Sequence, residues 1–599
     1  MKDKDLKPAD ARSCLNEYQA KLLLKKYGIP VPDERLAADE AQALAAARAM
    51  GYPVVLKGAG AALQHKTERN LVFLNLVDDD AVRKACRQIR DNGGGELEGF
   101  LVQPWVSGQR EFMAGMYRDA RFGPVILFGL GGVLTEALDD VVLRLAPLDE
   151  TDARQMVAEI QSRKLLDAFR GEAPVQRDAL IGSLLGLSRL AVEDPNVCEV
   201  DINPLKVTPR GQVLAVDALV ARKTPASDTV PPRQATSPKD LYQLFHPRSI
   251  AFVGASASLG KWGHLLVVNT IYGGYKGDIV LVNPKGGTIA GRPVFKSLQE
   301  IPGDVDLAVV TIPAAGAIDL MEACRAKQIR YMVLISSGFG ETGTDGKALE
   351  DRLVEAARKA GVIFLGPNTM GITNPHINLF CTGSTTLPLA GDTAMVSQSG
   401  NMGTQLLAFA EKQDIGIRAF AGSGNEAMVT IEDALEGFEE DAMTRTVLLY
   451  LESVKDGRRF FNAARRISRK KPIVLLKGGQ TRAGQRAAAS HTGALTSDSR
   501  IFNAVCRQAG TVKVDQPMEL LDLAAAFSSL PLPDGARTAI MTWGGGWGVV
   551  TADLCQLNGL EVPSLDNDVI SRIDELLPSY WSRTNPVDMV GEQNPQIPM

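Results

Sequence analysis

Past residue 240 the chain settles into short, continuous apolar runs, each followed by a small-residue loop and a stretch of helical length. The first series is Ser249–Val253, Ile279–Val282, Leu307–Ile312, Tyr331–Ile335 and Val362–Leu365. Runs that are apolar on both alternating faces suit parallel strands covered on both sides, and helices of about 10–15 residues between them predict a doubly wound sheet. A second series follows at Thr393–Val396, Ala419–Ala421, Arg445–Leu451, Ile473–Leu476 and Thr511–Lys513, ending near Pro531-Leu532-Pro533. A third opens at Ala536–Thr542 with a helix at 548–558, and too few residues follow to close a parallel sheet, so an incomplete domain is expected at 535–599.

Upstream the pattern differs. The stretch KTPASDTVPPRQATSPK is rich in Pro, Ser and Thr and has no apolar period, which makes 223–240 a linker. Before it, 1–222 reads as a mixed α/β block. Helical spacing runs over 15–27, 40–50 and about 178–193, with strands at Val54–Lys57, Leu71–Leu76, Leu101–Gln103 and Val125–Leu127. The remaining domains are expected at 241–377 and 388–530.

Composition excludes several classes. With 45% hydrophobic and 23% charged residues and a net charge of −5, the 599 residues suit a folded, multidomain chain with neither nucleic acid nor an anionic membrane as partner. No CxxC pair occurs among the seven cysteines, so no zinc site or disulfide framework is indicated and a cytoplasmic location is expected. The charged N-terminus does not read as a signal peptide, and no apolar run approaches the ~20 residues of a spanning helix.

Two of the five histidines sit in short polar runs, Gln64-His65-Lys66-Thr67-Glu68 and Ser490-His491-Thr492-Gly493. An imidazole on a small-residue loop is accessible and can accept a phosphoryl group at neutral pH. Glu452 ends the apolar strand Val447–Leu451, where a carboxylate needs a partner, and one bonded to imidazole would fix the tautomer. In the first block Lys57 ends a buried strand and calls for an anion such as a nucleotide phosphate. Gln103 and Val106 read as a segment beside an adenine. Asn203 in Asp201-Ile202-Asn203-Pro204, and Asp217, are hard oxygen donors suited to Mg²⁺.

Loops beyond strand ends supply the other candidates. Gly254 and Ser256 lie in Val253-Gly254-Ala255-Ser256, and Asn283 and Lys285 in Asn283-Pro284-Lys285-Gly286-Gly287. Such glycines let backbone N–H groups approach a pyrophosphate, and the lysine suits a phosphorylated nucleotide better than a ribose diol. Ser337 and Asn368 follow strands of the same sheet and would share its crevice. Ser397 and Ser399 in Val396-Ser397-Gln398-Ser399-Gly400 could hold phosphate, although a serine N-cap would place the same residues there. A nicotinamide oxidoreductase fits poorly, because neither GxGxxG nor the ribose-binding acidic residue is present.

Taken in order, these motifs resemble the ADP-forming acyl-CoA synthetases (acetate–CoA ligases), relatives of succinyl-CoA synthetase. PVVLKGAGAALQHKTE, FGLGGVLTEALDD and EVDINPLKV look like the ATP-grasp half. HPRSIAFVGAS, VNPKGG, SSGFGE and GPNTMGITNP look like a Rossmann-like CoA-binding domain. VSQSGNMG, GSGNEA, LLYLES and ASHTGAL look like a flavodoxin-like ligase domain, and MTWGGGWGVVTADLC with NPVDMVG like part of a second.

The resemblance implies His491 as the phosphorylated residue, Glu452 as its stabilising carboxylate and His65 as a relay. It implies Lys57 and Glu111 at the nucleotide, Asn203 and Asp217 at Mg²⁺, and Gly254, Ser256, Asn283 and Lys285 bordering CoA. The reaction implied is ATP + carboxylate + CoA ⇌ ADP + phosphate + acyl-CoA, with a small carboxylic acid as substrate; fusion of both halves in one chain removes the need for separate subunits and leaves room for a homodimer. Arg69-Asn70 stand where the family carries small residues, and Trp543 and Trp547 are bulkier than expected. The alternative weighed against the enzyme is a catalytically silent regulatory protein that binds CoA or nucleotide.

Overall fold

The structure is a computed structural model that describes residues 12–60, 63, 66, 69–132, 138–223, 234–481, 483, 484, 486 and 498–591. Contacts divide the chain into two compact units that meet at Ser528 and Ser529.

The first 223 residues of the larger unit form two antiparallel sheets. The smaller sheet orders Arg35–Ala37, Gly99–Pro104, Val54–Ala59 and Val72–Leu76. Helices Glu40–Met50 and Asp79–Gly93 pack on it through Ala43, Ala47, Val82, Cys86 and Ile89. The larger sheet orders Arg12–Cys14, Leu219–Lys223, Val197–Val207, Arg110–Asp119, Gly123–Leu130 and Val141–Leu145, with Val213–Ala215 paired to Val197–Val207. One face is closed by Glu150–Glu159 and Arg177–Glu193, whose Met156, Leu184 and Leu187 are fully buried. Asn16, Asp39, Asp78 and Asp149 each cap a helix N-terminus through the side chain, contributing about 1 kcal/mol apiece.

The parallel sheets form as expected. The first orders Thr288–Ile289, Arg292–Phe295, Asp278–Val282, Ser249–Val253, Leu307–Val310, Tyr331–Leu334 and Ile363–Leu365. Next comes Leu379–Thr382, Gly371–Asn374, Ile417–Gly422, Ala390–Ser397, Thr446–Leu451, Ile473–Lys477 and Val512–Val514. The antiparallel pair at 371–374 and 379–382 is an addition that the apolar runs do not announce. Gly371–Asn374 pairs with Ile417–Gly422, so the last loop of one sheet feeds directly into the next.

One of the apolar clusters in this unit joins the first block to the later domains. Phe122, Val125 and Leu145 of the first block join Phe460, Phe461, Phe502 and Val505 from helices Gly457–Ile467 and Ser499–Ala509. Gln508 completes the edge strand: its Oε1 accepts from Leu145 N at 2.8 Å and its Nε2 donates to Leu145 O at 3.0 Å. Arg465 bridges to Asp149 at 2.7 Å and Asp152 at 3.0 Å. The open face of the large antiparallel sheet is thus partly covered by the later domain.

In the smaller unit Met541–Thr542 pairs in parallel with Val587–Asp588, beside helix Gly545–Leu557. The expected strand over Ala536–Thr542 is only two residues long, because Arg537 forms an isolated bridge to Glu561 instead of joining the pair. Trp543 and Trp547 are both exposed.

Candidate active site

Two polar regions stand out in the larger unit. The first lies between the two antiparallel sheets and is organised by Glu17, a fully enclosed carboxylate on helix Glu17–Lys26. Its oxygens accept from Lys57 Nζ at 2.6 Å, Lys21 Nζ at 2.7 Å and Lys66 Nζ at 2.5 Å. Burial pulls its pKa up, but the three ammonium charges outweigh that and hold it well below the ordinary carboxylate value. Lys57 also donates to Val216 O at 2.7 Å and lies 3.6 Å from Asp217. Its pKa is raised, because Asp217 and Glu17 overcome the cost of burial. Lys21 donates to Gln103 Oε1 at 2.8 Å and Glu34 at 3.0 Å. Val106 is buried close after Gln103 in sequence.

Along the large sheet, Asn203 Oδ1 accepts from Gly132 N at 3.1 Å and Glu111 accepts from Lys206 at 2.7 Å. Gly132 has φ +74°, and a Cβ there would lie 2.5 Å from Glu111 Oε2, so the glycine admits the carboxylate beneath its loop. Asp217 follows Val216, whose N–H donates to Pro204 O, and so lies beside Asn203. The charges of Asp217 and Glu199 beside it raise the Asp201 carboxyl, although its side chain stays exposed, and Lys57 partly offsets a rise at Asp217. Asn203 and Asp217 supply hard oxygen donors on neighbouring segments, the donor chemistry that suits Mg²⁺. His65 lies outside the described residues. Lys66, which follows it, is latched to Glu17, and Arg69 pairs with Glu96 at 2.8 Å.

The second region collects the carboxyl ends of the two parallel sheets. Gly254 has φ +92°, and a Cβ on Gly263 would fall 2.1 Å from Gly254 O, so backbone meets backbone at the start of helix Trp262–Tyr272. Ser256 Oγ accepts from Ser258 N at 3.1 Å. Asn283 donates to Ala255 O at 2.8 Å and accepts from Lys285 N at 3.0 Å, tying its loop to the first. Lys285 and Ser337 are exposed. Asn368, at φ +57°, donates to Asn425 Oδ1 at 3.3 Å.

Glu452 is buried at the end of Thr446–Leu451. Its backbone N–H donates to Gln398 Oε1 at 2.5 Å, and Ser453 N donates to the same oxygen at 2.9 Å. Gln398 Nε2 donates to Glu426 Oε1 at 2.9 Å. Ser399 caps helix Gly400–Lys412, while the Ser397 hydroxyl donates to Ser399 O at 2.6 Å. Lys477 Nζ donates to Glu452 O at 2.8 Å and is brought down to about 8 by burial, against the nearby Glu452 charge. His491 lies outside the described residues. The strand before it ends at Lys477 beside Glu452. The described chain resumes at Asp498, whose helix packs on the large antiparallel sheet, with Arg500 3.4 Å from Asp139.

Several participants were not singled out beforehand. Lys477 carries the signal that marked Lys57, a lysine closing an apolar strand. Gln398 lay inside a run chosen for its serines. Asn425 donates to Glu341 at 2.6 Å and to Glu350 at 2.9 Å, joining the two parallel sheets. Glu17 sits on a helix whose spacing marks only a core face.

An enclosed lysine–carboxylate cluster ahead of two parallel-sheet domains, with a strand-end glutamate braced at their junction, defines a nucleotide-dependent ligase architecture. Family models agree: an ATP-grasp domain matches residues 7–221, a CoA binding domain 248–375 and a succinyl-CoA ligase like flavodoxin domain 390–527. Acetate–CoA ligase [ADP-forming] II of Archaeoglobus fulgidus is 36% identical over 96% of this chain and 84% of its own length. The alpha subunit of acetate–CoA ligase [ADP-forming] I of Pyrococcus furiosus is 42% identical over 59% of this chain and 77% of its own. The dinucleotide-forming acetyl-coenzyme A synthetase 1 of Ca. Korarchaeum cryptofilum, solved with phosphate and ADP, aligns with a TM-score of 0.56 at 33% identity, over 59% of this chain and 76% of that one. The chain belongs to the ADP-forming acyl-CoA synthetase family.

Proposed function

We propose that the chain interconverts ATP, a carboxylic acid and CoA with ADP, phosphate and acyl-CoA, working through a phosphohistidine at His491. The observation that carries this reading is where the described residues on either side of residue 491 lie. The strand that ends at Lys477 closes beside the braced Glu452, and the helix that Asp498 caps packs against the sheet that carries Glu111 and Asn203.

In the forward direction, an imidazole nitrogen of His491 takes the terminal phosphoryl group of ATP, forming N–P as the bond to ADP breaks. Lys57, with its charge secured by Glu17, meets the phosphates, Gln103 and Val106 border the base, Glu111 the nucleotide, and His65 relays phosphate in this half. Asn203 and Asp217 would hold Mg²⁺, which when bound spreads the negative charge of the transferring group. At the other end Glu452 stabilises the charged imidazole, and the turn at Ser397 and Ser399 receives the phosphoryl oxygens at a helix N-terminus. A carboxylate oxygen of the acid attacks phosphorus, breaking N–P and giving an acyl phosphate. The CoA sulfur then attacks the carbonyl carbon and phosphate leaves. Gly254, Ser256, Asn283, Lys285, Ser337 and Asn368 border CoA. Splitting one hard displacement into three lowers each barrier.

The relatives named above are ligases and give the regulatory reading no support. Seven cysteines, none of them in a disulfide, suit a reducing cytoplasm, and no helix among the described residues is long and apolar enough to cross a membrane. A homodimer is compatible with this arrangement, and light scattering decides it. The functional test is ADP release from ATP in the presence of CoA and a panel of carboxylic acids. Release that needs both CoA and one of the acids supports the ligase; binding of CoA and ATP without turnover supports the sensor.

A further inference from the structure

The edge strand Val141–Leu145 of the large antiparallel sheet and the edge strand Val512–Val514 of the second parallel sheet border one cleft of about 550 Å³. Helix Ser499–Ala509 supplies a further wall through Arg500, Asn503 and Arg507. That volume is in the range of small-molecule sites. None of the residues assigned above to nucleotide, Mg²⁺, CoA or phosphohistidine is among those that line it, so the cleft stands outside the ligase reading.

Its charge is one-sided. Among the described residues that line the cleft, Arg144, Arg500, Arg507 and Lys513 are cationic and Glu159 alone is acidic. Arg144 is buried and donates to Glu159 Oε1 at 2.6 Å, while Arg507 meets Glu159 Oε2 at 2.9 Å. One carboxylate therefore serves two guanidiniums, and no acceptor among the described residues meets Arg144 Nε. A buried cation short of counter-charge is costly, and an anion in the cleft lowers that cost. The other two cations have partners outside the lining. Arg500 is 3.4 Å from Asp139 and 3.6 Å from Asp498, and Lys513 is 3.1 Å from Asp515. Those three carboxylates are exposed, so the pairs contribute little and can yield to a ligand. Cations from three elements around one small volume focus a positive field, and an oligophosphate, with several negative charges close together, gains most from it.

We propose that this cleft binds an oligophosphate anion through Arg500, Arg507 and Lys513, with the buried Arg144 adding to the field. So bound, the anion fastens helix Ser499–Ala509, the first described helix after His491, to the edge of the ATP-grasp sheet. The experiment uses the full chain saturated with CoA and the non-hydrolysable ATP analogue AMPPCP. Tripolyphosphate is titrated by calorimetry at about 150 mM salt, where diffuse attraction is screened. Wild type is expected to take up one equivalent. The double variant Arg500→Ala, Lys513→Ala should bind at least about tenfold more weakly, the scale set by losing charge-assisted hydrogen bonds. A second double variant, Arg325→Ala, Lys359→Ala, removes the same charge from exposed positions elsewhere and should bind as wild type does.

A nucleotide's phosphate tail offers the same chemistry as free oligophosphate. If it is the source, AMPPCP itself fills two sites in wild type and one in Arg500→Ala, Lys513→Ala, which supports the cleft equally. No uptake of tripolyphosphate together with a single AMPPCP site overturns the inference. Equal weakening in both double variants, or none in the first, overturns it too. Should thermal melting show that the first variant does not fold, Arg500→Gln, Lys513→Gln carries the same comparison. None of these readouts depends on turnover, so this inference and the ligase reading can fail separately.

Discussion

The side-chain oxygen of Gln398 accepts from the backbone N–H groups of Glu452 and Ser453 together, at 2.5 and 2.9 Å, while its nitrogen holds Glu426. One amide thus fixes the backbone that carries the strand-end carboxylate. In Gln398→Ala both N–H groups lose their acceptor and the turn relaxes. A cost of about 1.4–2.7 kcal/mol at the transition state corresponds to a fall in kcat of about 10- to 100-fold. The KM values for ATP and CoA should hardly move, and steady-state kinetics with each substrate varied check this.

Glu17 compensates three lysines at once. Glu17→Gln leaves three ammonium groups crowded together with their main counter-charge removed, and we expect destabilisation of about 3 kcal/mol or more. A triphosphate can replace the missing charge. The rise in Tm on adding ATP should therefore be larger in Glu17→Gln than in wild type; an equal rise would contradict the role given to Lys57.

Glu426 is raised from its ordinary 4.5 to about 7, by burial first and by the neighbouring Glu432 second. Between those values the folded chain keeps a proton that the unfolded chain releases. The resulting stabilisation is full below about pH 4.5 and is lost as pH rises through 7. Glu426→Gln has no such proton. Wild type should lose roughly 2 kcal/mol relative to the variant between pH 5 and pH 8, seen as a falling difference in Tm between the two proteins.

Much of this was legible in the chain, for identifiable reasons. Strands buried on both faces, such as Leu307–Val310 and Thr446–Leu451, advertise themselves by unbroken apolar runs. The long strands Arg110–Asp119 and Val197–Val207 do not, because one face presents Glu111, Glu199, Asp201 and Asn203 to the cleft and interrupts the pattern. Function hides structure there. Lys57 could be picked out because a lysine closing a buried strand is anomalous, yet its partner Glu17 lies 40 residues away on a helix, and sequence spacing carries no sign of such a pairing. Gln398 and Asn425 act through amides that join loops from different strands, so their importance appears only once the loops are brought together.

The central claim is that one imidazole carries phosphate between the two regions. Full-length protein incubated with γ-labelled ATP and Mg²⁺, then digested and mapped by mass spectrometry, tests it most directly. The account predicts acid-labile, base-stable phosphate on His491, discharged by adding CoA with a substrate acid and absent from His491→Ala. A folded wild-type chain that releases ADP in the presence of acid and CoA, yet never bears phosphate at position 491, would contradict it.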